Sequence, residues 1–182
     1  GDWSSAAFLL AAGAIAGEVT VTGLDPNSAQ ADKAIIDILL QMGADVKVTD
    51  KSITSKLSKL GGVDIDMVDC PDLFPVVSAL CANSREESRL TGLERLRLKE
   101  SDRLQAMLNG LKKMGVKAEK VGEVLMIRGE TIRGAEVNSY MDHRIAMSFA
   151  VLALAAEGAT TILDADCVAK SYPGFWHDLE KI

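Results

Sequence analysis

Apolar and polar residues follow two different periods along this chain of 182 residues. Three stretches are apolar on every side of a helical projection and therefore predict helices that are buried all round: residues 6–15, 76–81 and 145–155. Two other stretches carry apolar residues at i, i+1, i+4 and i+5 or at similar spacings, which predicts amphipathic helices near residues 35–40 and 104–111. Gly43 and Gly115 each follow a methionine and predict the ends of these two helices.

Short stretches between the helices predict strands. They are residues 18–22, 45–49, 52–54, 63–67, 88–91, 117–120, 124–128, 135–137 and 160–163. Helices alternating with short strands indicate an α/β (or α+β) domain.

An internal repeat organises these elements. Asp2, Asp72 and Asp142 are spaced by 70 residues, and each precedes a buried helix that its side chain is expected to cap. Asp32 and Asp102 follow the first two by thirty residues, and each opens an amphipathic helix. The repeating unit is β-α-β-α-β-β, with units at about residues 1–62, 63–132 and 133–182. We expect three-fold pseudosymmetry, with parallel buried helices whose N-termini share one face, walled by small sheets. Both ends cut a unit, which predicts a single domain excised from a larger protein.

Charge and cysteine content argue against several classes of function. Twenty Lys and Arg against twenty-six Asp and Glu give a net charge of −6, which argues against a nucleic-acid or anionic-membrane surface. The apolar stretch at residues 6–16 is too short for a membrane span, and no signal peptide is evident. The three widely spaced cysteines predict buried thiols in a reducing, cytoplasmic compartment, and neither they nor the two histidines suggest a metal site.

Charged residues appear where the repeat is broken. Lys99, Glu100 and Arg103 surround Asp102, whereas the first unit reads Ala-Gln-Ala-Asp-Lys at residues 29–33. A capping box with Gln105 explains Asp102 alone. A solvated charge run would explain the whole set without any function, and this alternative stays open.

The third unit is charged at two further positions. Arg144 lies in the predicted first turn of a helix, where the helix dipole disfavours a cation unless an anion is bound. Lys170 occupies the repeat position of Gln30 and Glu100. Under the pseudosymmetry these cations converge with Lys99 and Arg103, and with the carboxylates of Asp72 and Glu100. The pattern predicts a site for a small phosphorylated anion.

Three motifs resemble the 5-enolpyruvylshikimate-3-phosphate synthase family, the target of glyphosate. They are Leu-Lys-Glu-Ser-Asp-Arg-Leu at residues 98–104, Asp-His-Arg-Ile-Ala-Met-Ser at residues 142–148, and Ala-Lys-Ser-Tyr-Pro at residues 169–173. The resemblance spans essentially the whole chain and implies an inside-out α/β protein of two domains that close around the substrates. This chain resembles most of the second domain. The implied reaction transfers the enolpyruvyl group of phosphoenolpyruvate to shikimate 3-phosphate and releases phosphate, in the shikimate pathway of aromatic amino acid biosynthesis.

The resemblance also implies roles for individual residues. Asp72 contacts shikimate hydroxyls and is a candidate base, and Glu100 shuttles protons. The implied ligands of the phosphoenolpyruvate carboxylate are Arg103 and Arg144, and the lysines near the phosphate and the reacting centre are Lys99 and Lys170. Arg95 replaces an asparagine that contacts shikimate in some members, and the roles of Arg95 and His143 are not assigned.

The residues fit this chemistry without a metal or an organic cofactor. Two carboxylates, with Lys99, suit a reaction in which protons move in both directions, and fixed cations stabilise a departing phosphate. Two alternatives stay open: a UDP-N-acetylglucosamine enolpyruvyl transferase domain, which shares the repeat but lacks the Lys-Glu-Ser-Asp-Arg motif, and a non-catalytic anion-binding domain. The isolated chain is expected to be inactive, because one wall of the cleft is missing.

Overall fold

The computed structural model describes residues 1–182, which form six α-helices and nine strands. The helices are α1 (Trp3–Ala16), α2 (Ile35–Gln41), α3 (Phe74–Ala82), α4 (Arg103–Lys113), α5 (His143–Ala153) and α6 (Phe175–Leu179). The strands are β1 (Glu18–Thr22), β2 (Asp45–Val48), β3 (Ser52–Lys56), β4 (Asp64–Asp66), β5 (Ser88–Thr91), β6 (Lys117–Val121), β7 (Val124–Arg128), β8 (Glu136–Asn138) and β9 (Thr161–Leu163). All nine predicted strands are present, and their ends differ from the predicted ones by at most two residues.

Three helices form the centre of the core. Helices α1, α3 and α5 pack against one another, and nearly every side chain on them is buried. Every residue of α3 is buried, from Phe74 to Ala82. A helix that is apolar on all sides gains free energy only when other elements cover it on all sides. The prediction that these three helices are buried is therefore confirmed, except that the third ends at Ala153 and the following Leu154 is exposed.

Small sheets and the remaining helices surround this centre. The strand orders are β1-β3-β2 and β4-β5-β7-β6 in the larger sheets, and β8 pairs with β9. Strands β4 and β5 are parallel, as are β8 and β9, while every other pair is antiparallel. The mixed α/β fold class is confirmed. The boundaries of the repeat units stay a prediction.

Amphipathic helix α4 packs on α5 through a glycine. A Cβ added at Gly110 would lie 2.0 Å from the Phe149 ring, so only a residue without a side chain allows this approach. Gly43 and Gly115 end the two amphipathic helices in left-handed backbone conformations, with φ of 79° and 81°, as predicted. The close contact with α5 sets the position of the N-terminus of α4, where Arg103 lies.

The helix caps differ from the sequence expectation at one position. Asp2 accepts from the amides of Ser4 and Ser5, and Asp142 accepts from the amide of Arg144, as predicted. Asp72, however, lies inside a 3-10 helix, Pro71–Leu73, and α3 has no side-chain cap. The prediction that Asp72 caps a helix is wrong, because Pro71 and Pro75 start the helix with a tighter turn, and the Asp72 carboxylate pairs with Lys99 and Arg103 instead.

Two smaller expectations are resolved by the structure. Asp102 caps α4 through the amide of Gln105, but the Gln105 side chain bonds to Asn109 instead of completing a capping box. All three cysteines are free thiols; Cys70 and Cys81 are buried and Cys167 is half-buried. No helix is both long enough and apolar enough to cross a membrane.

Candidate active site

The N-termini of the three core helices lie side by side. Nη1 of Arg144, in the first turn of α5, is 3.4 Å from the carbonyl oxygen of Asp72, just before α3. The same atom is 3.5 Å from a carboxylate oxygen of Asp32, which also accepts a hydrogen bond from Ser4 in the first turn of α1. One arginine therefore connects the beginnings of all three helices.

Arg103 is the buried centre of the ionic cluster. Its Nε donates to Asp142 at 2.8 Å, its Nη1 to Asp72 at 2.6 Å and its Nη2 to Glu100 at 2.7 Å, and its side chain is 1% exposed. Burial alone would lower the pKa of this guanidinium, but the hydrogen bond and charge of Asp142, with Glu100 and Asp72, raise it. Three carboxylates together offset the cost of burying this charge.

The Asp142 carboxylate contacts both α5 and α4. It is fully buried, caps α5 through the amide of Arg144 at 3.0 Å, and accepts from Arg103 and from the Ser101 hydroxyl. Burial would raise its pKa, but the bond to Arg103 and the charge of Arg103 hold the pKa of Asp142 below its usual value. The sequence predicted only the cap. The Arg103 contact depends on how α4 packs against α5, which no spacing along the chain reveals.

Asp72 lies between the cations of the site. Its carboxylate is 2.9 Å from Lys99 Nζ, and its second oxygen is 3.9 Å from Nη2 of Arg144. Burial raises the pKa of Asp72, but the hydrogen bond from Lys99 and the charges of Arg144 and Arg103 lower it below the usual range. In this arrangement Asp72 is ionised and weakly basic. It becomes a stronger base only if the bonds from Lys99 and Arg103 lengthen.

Two carboxylates lie close to Arg144 in the unliganded chain. Its side chain is 14% exposed and lies within 3.9 Å of two carboxylates, those of Asp32 and Asp72. The expectation that Arg144 is unfavourably placed until a ligand binds is therefore wrong for the unliganded chain, since these carboxylates offset the helix dipole. The neighbouring His143 is buried, and its Nδ1 has no hydrogen-bond partner. Burial lowers the pKa of His143, which favours the neutral imidazole.

A family model and several relatives match this chain. The model of EPSP synthase (3-phosphoshikimate 1-carboxyvinyltransferase) matches residues 1–179. The chain belongs to the EPSP synthase family. The resemblance seen in the three sequence motifs is thereby confirmed.

Members of the EPSP synthase family are similar to this chain over its whole length. The 3-phosphoshikimate 1-carboxyvinyltransferases of Pyrococcus abyssi and Clostridium acetobutylicum are 45% and 44% identical to it. The chain covers 44% and 42% of their lengths, so it spans less than half of each. The solved EPSP synthase of Acinetobacter baumannii superposes on 98% of the chain with a TM-score of 0.84 and 32% identity, and the chain covers 45% of that structure. The enolpyruvyl transferase NikO of Streptomyces tendae, 21% identical with a TM-score of 0.76, shares the fold.

Not all of the site residues implied by the family resemblance lie in the ionic cluster. Five of the six meet there: Asp72, Lys99, Glu100, Arg103 and Arg144. Lys170 is exposed at the end of a 3-10 helix, Ala165–Lys170, that packs on α5, and it forms no ion pair. Arg95 is also exposed and unpaired, on the 3-10 helix Glu94–Leu98. The structure therefore assigns no contact to either side chain.

The cluster holds more carboxylates than cations, so its formal charge is not positive. Three cations contact four carboxylates, those of Asp32, Asp72, Glu100 and Asp142. The carboxylates neutralise the cations, and Arg103 has no exposed donor to offer a ligand. An incoming anion can bind Arg103 only by exchanging with one of these carboxylates, whereas Nε of Arg144 has no protein acceptor and Lys170 forms no ion pair.

Proposed function

We propose that this chain is one of two domains of an enzyme that transfers the enolpyruvyl group of phosphoenolpyruvate to shikimate 3-phosphate and releases phosphate. The observation that carries the proposal is the cluster in which Lys99 and two arginines meet Asp72 and Glu100 at the joined N-termini of three helices. A missing first domain supplies the opposite wall of the cleft. The cytoplasm is the compartment we expect, in agreement with three free thiols.

The addition step needs two proton transfers, and the groups that act as acid and base exchange roles in the elimination step. In the addition step, the acceptor hydroxyl of shikimate 3-phosphate bonds to C2 of phosphoenolpyruvate and loses its proton, while C3 gains a proton. In the elimination step, the bond from C2 to the phosphate oxygen breaks, the departing phosphate accepts a proton, and C3 gives up a proton. A carboxylate and a second acid suit these proton transfers, because each group that gives a proton in one step must accept one in the other.

Asp72, Glu100 and Lys99 are the groups to which we assign these transfers. Asp72 and Glu100 are each about one third exposed, and both contact Arg103. Lys99, with its Nζ 2.9 Å from Asp72, can pass a proton to that carboxylate or withdraw a hydrogen bond from it. Once Glu100 is released from Arg103, its carboxylate is free to exchange protons with the substrate.

Arg103, Arg144 and Lys170 are the residues to which we assign anion binding. Arginine suits a carboxylate or phosphate because its planar fork donates two parallel hydrogen bonds. Nε of Arg144 has no protein acceptor and can donate to the substrate, whereas Arg103 must exchange Glu100 or Asp72 for the substrate carboxylate. That exchange couples substrate binding to the release of Glu100. Lys170 approaches the phosphate when the two domains close.

The experiment that tests this function measures phosphate release by the complete two-domain protein. We expect turnover only when phosphoenolpyruvate and shikimate 3-phosphate are both present, and none with UDP-N-acetylglucosamine as the acceptor. Turnover with the nucleotide sugar instead would favour the related transferase. Binding of phosphoenolpyruvate with no turnover under either condition would identify a non-catalytic anion-binding protein and refute the proposal.

A further inference from the structure

We propose that Asp32 is a positioning residue that fixes the guanidinium of Arg144 for the incoming anion. The inference rests on the function proposed above and adds to it a residue that none of the three sequence motifs contains. Asp32 lies in a 3-10 helix, Ala31–Ala34, ahead of α2, and its side chain is only 9% exposed. One of its oxygens accepts from the Ser4 hydroxyl and is 3.5 Å from Nη1 of Arg144.

The comparison with Asp102 shows that Asp32 does not act as a helix cap. Asp32 and Asp102 follow Asp2 and Asp72 by the same thirty residues. Asp102 is exposed and caps α4 through the amide of Gln105. Asp32 makes no side-chain cap and points its buried carboxylate at Ser4 and Arg144 instead. A buried carboxylate is costly unless it is paired, so Arg144 is the partner that makes this burial tolerable.

The contacts of Arg144 leave one edge of its guanidinium free. Nη1 faces the Asp32 carboxylate and the Asp72 carbonyl, whereas Nε has no protein acceptor and Nη2 has only the Asp72 carboxylate at 3.9 Å. Nε and Nη2 form the edge that can donate two parallel hydrogen bonds to a carboxylate or phosphate. By holding Nη1, Asp32 orients this edge before the ligand arrives, so less conformational entropy is lost on binding.

The direct test follows the motion of the Arg144 guanidinium in the 182-residue chain. Rotation about its Nε–Cζ bond is measured by nitrogen-exchange NMR. In Asp32→Asn we expect this rotation to speed up by about threefold or more, because the amide keeps the size of the carboxylate but loses its charge. Asp37→Asn is the matched control: Asp37 is exposed on α2 and forms no ion pair, and its loss should leave the rotation rate unchanged. An unchanged rate in Asp32→Asn would overturn the proposal.

A second test uses the complete two-domain protein and asks whether Asp32 acts through Arg144. Asp32→Asn should raise the KM for phosphoenolpyruvate about tenfold, with a smaller change in kcat, and should have little further effect in an Arg144→Lys background. Full additivity of the two substitutions would overturn the proposal. If the complete protein shows no turnover, the proposed function fails, but the rotation rate still decides whether Asp32 positions Arg144.

Discussion

Replacing Arg103 by methionine tests whether the ionic cluster is structural as well as functional. Methionine fills a similar volume without charge and leaves Asp142 fully buried with only a backbone amide and the Ser101 hydroxyl as donors. Removing one partner of a buried ion pair costs about 3–5 kcal/mol. Asp72 and Glu100, each about one third exposed, regain water and add little to this loss.

Thermal and urea unfolding of the 182-residue chain measure this loss. For a chain of this size a loss of about 3–5 kcal/mol lowers Tm by roughly 6–20 °C. Arg97→Met is the matched control, because Arg97 is exposed on a 3-10 helix and forms no ion pair. A loss for Arg103→Met no larger than that of the control would show that Arg103 is not needed to offset the buried charge of Asp142.

The pH dependence of the same variant identifies the responsible carboxylate. In the native chain the folded pKa of Asp142 lies below its unfolded value, so Asp142 stabilises the fold above about pH 4 and loses this effect as the pH falls. Without Arg103, burial raises the folded pKa, and protonation then favours the folded state. The stability difference between native chain and variant should therefore shrink from pH 7 towards pH 4. A difference that is independent of pH would contradict this account, as would failure of an added Asp142→Asn substitution to recover part of the loss.

Three further substitutions test the site and the backbone around it. Arg144→Ala should raise the KM for phosphoenolpyruvate more than tenfold in the two-domain protein, and its unfolding free energy should fall by about 3 kcal/mol because the buried Asp32 loses its cation; the same stability loss with an unchanged KM would make the residue purely structural. Glu100→Gln should lower kcat by about 10²–10⁴-fold with little change in KM, and steady-state phosphate release with an unaltered kcat would remove Glu100 from proton transfer. Met141→Asn should stabilise the chain by about 0.5–1 kcal/mol, because Met141 is 65% exposed and has a left-handed backbone with φ of 59°; a fall in Tm would show that its side-chain contacts outweigh the strain.

The sequence was sufficient to predict the elements of the fold. Helices that are apolar on all sides are stable only in the core of a domain. Gly43 and Gly115 mark helix ends where the backbone has a positive φ, which glycine adopts readily. These features are local, so they can be recognised from spacing and residue type. The convergence of Lys99, Arg103 and Arg144 was also predicted, because charges at broken positions of a repeat are expected to meet at one end of the domain.

The pairing of charges within the site could not be predicted from the sequence. Asp72 and Asp142 were predicted to cap helices and Asp32 to open one, but Asp32 and Asp72 make no cap, and Asp142 combines its cap with an ion pair to Arg103. Which carboxylate pairs with which arginine depends on how far the helices are shifted relative to one another, and residue spacing along the chain does not specify these shifts. The shifts are set by packing, such as the contact of Gly110 with Phe149, and not by any motif.

We propose above that this chain holds one half of an enolpyruvyl transferase site. The most direct measurement compares phosphate release from phosphoenolpyruvate and shikimate 3-phosphate by the 182-residue chain, by the complete two-domain protein, and by the chain mixed with a separately expressed first domain. We expect turnover by the complete protein, some turnover by the mixture and none by the chain alone, because alignment of both substrates and exclusion of water need both walls of the cleft. Turnover by the chain alone, or a complete protein that releases no phosphate, would contradict this proposal.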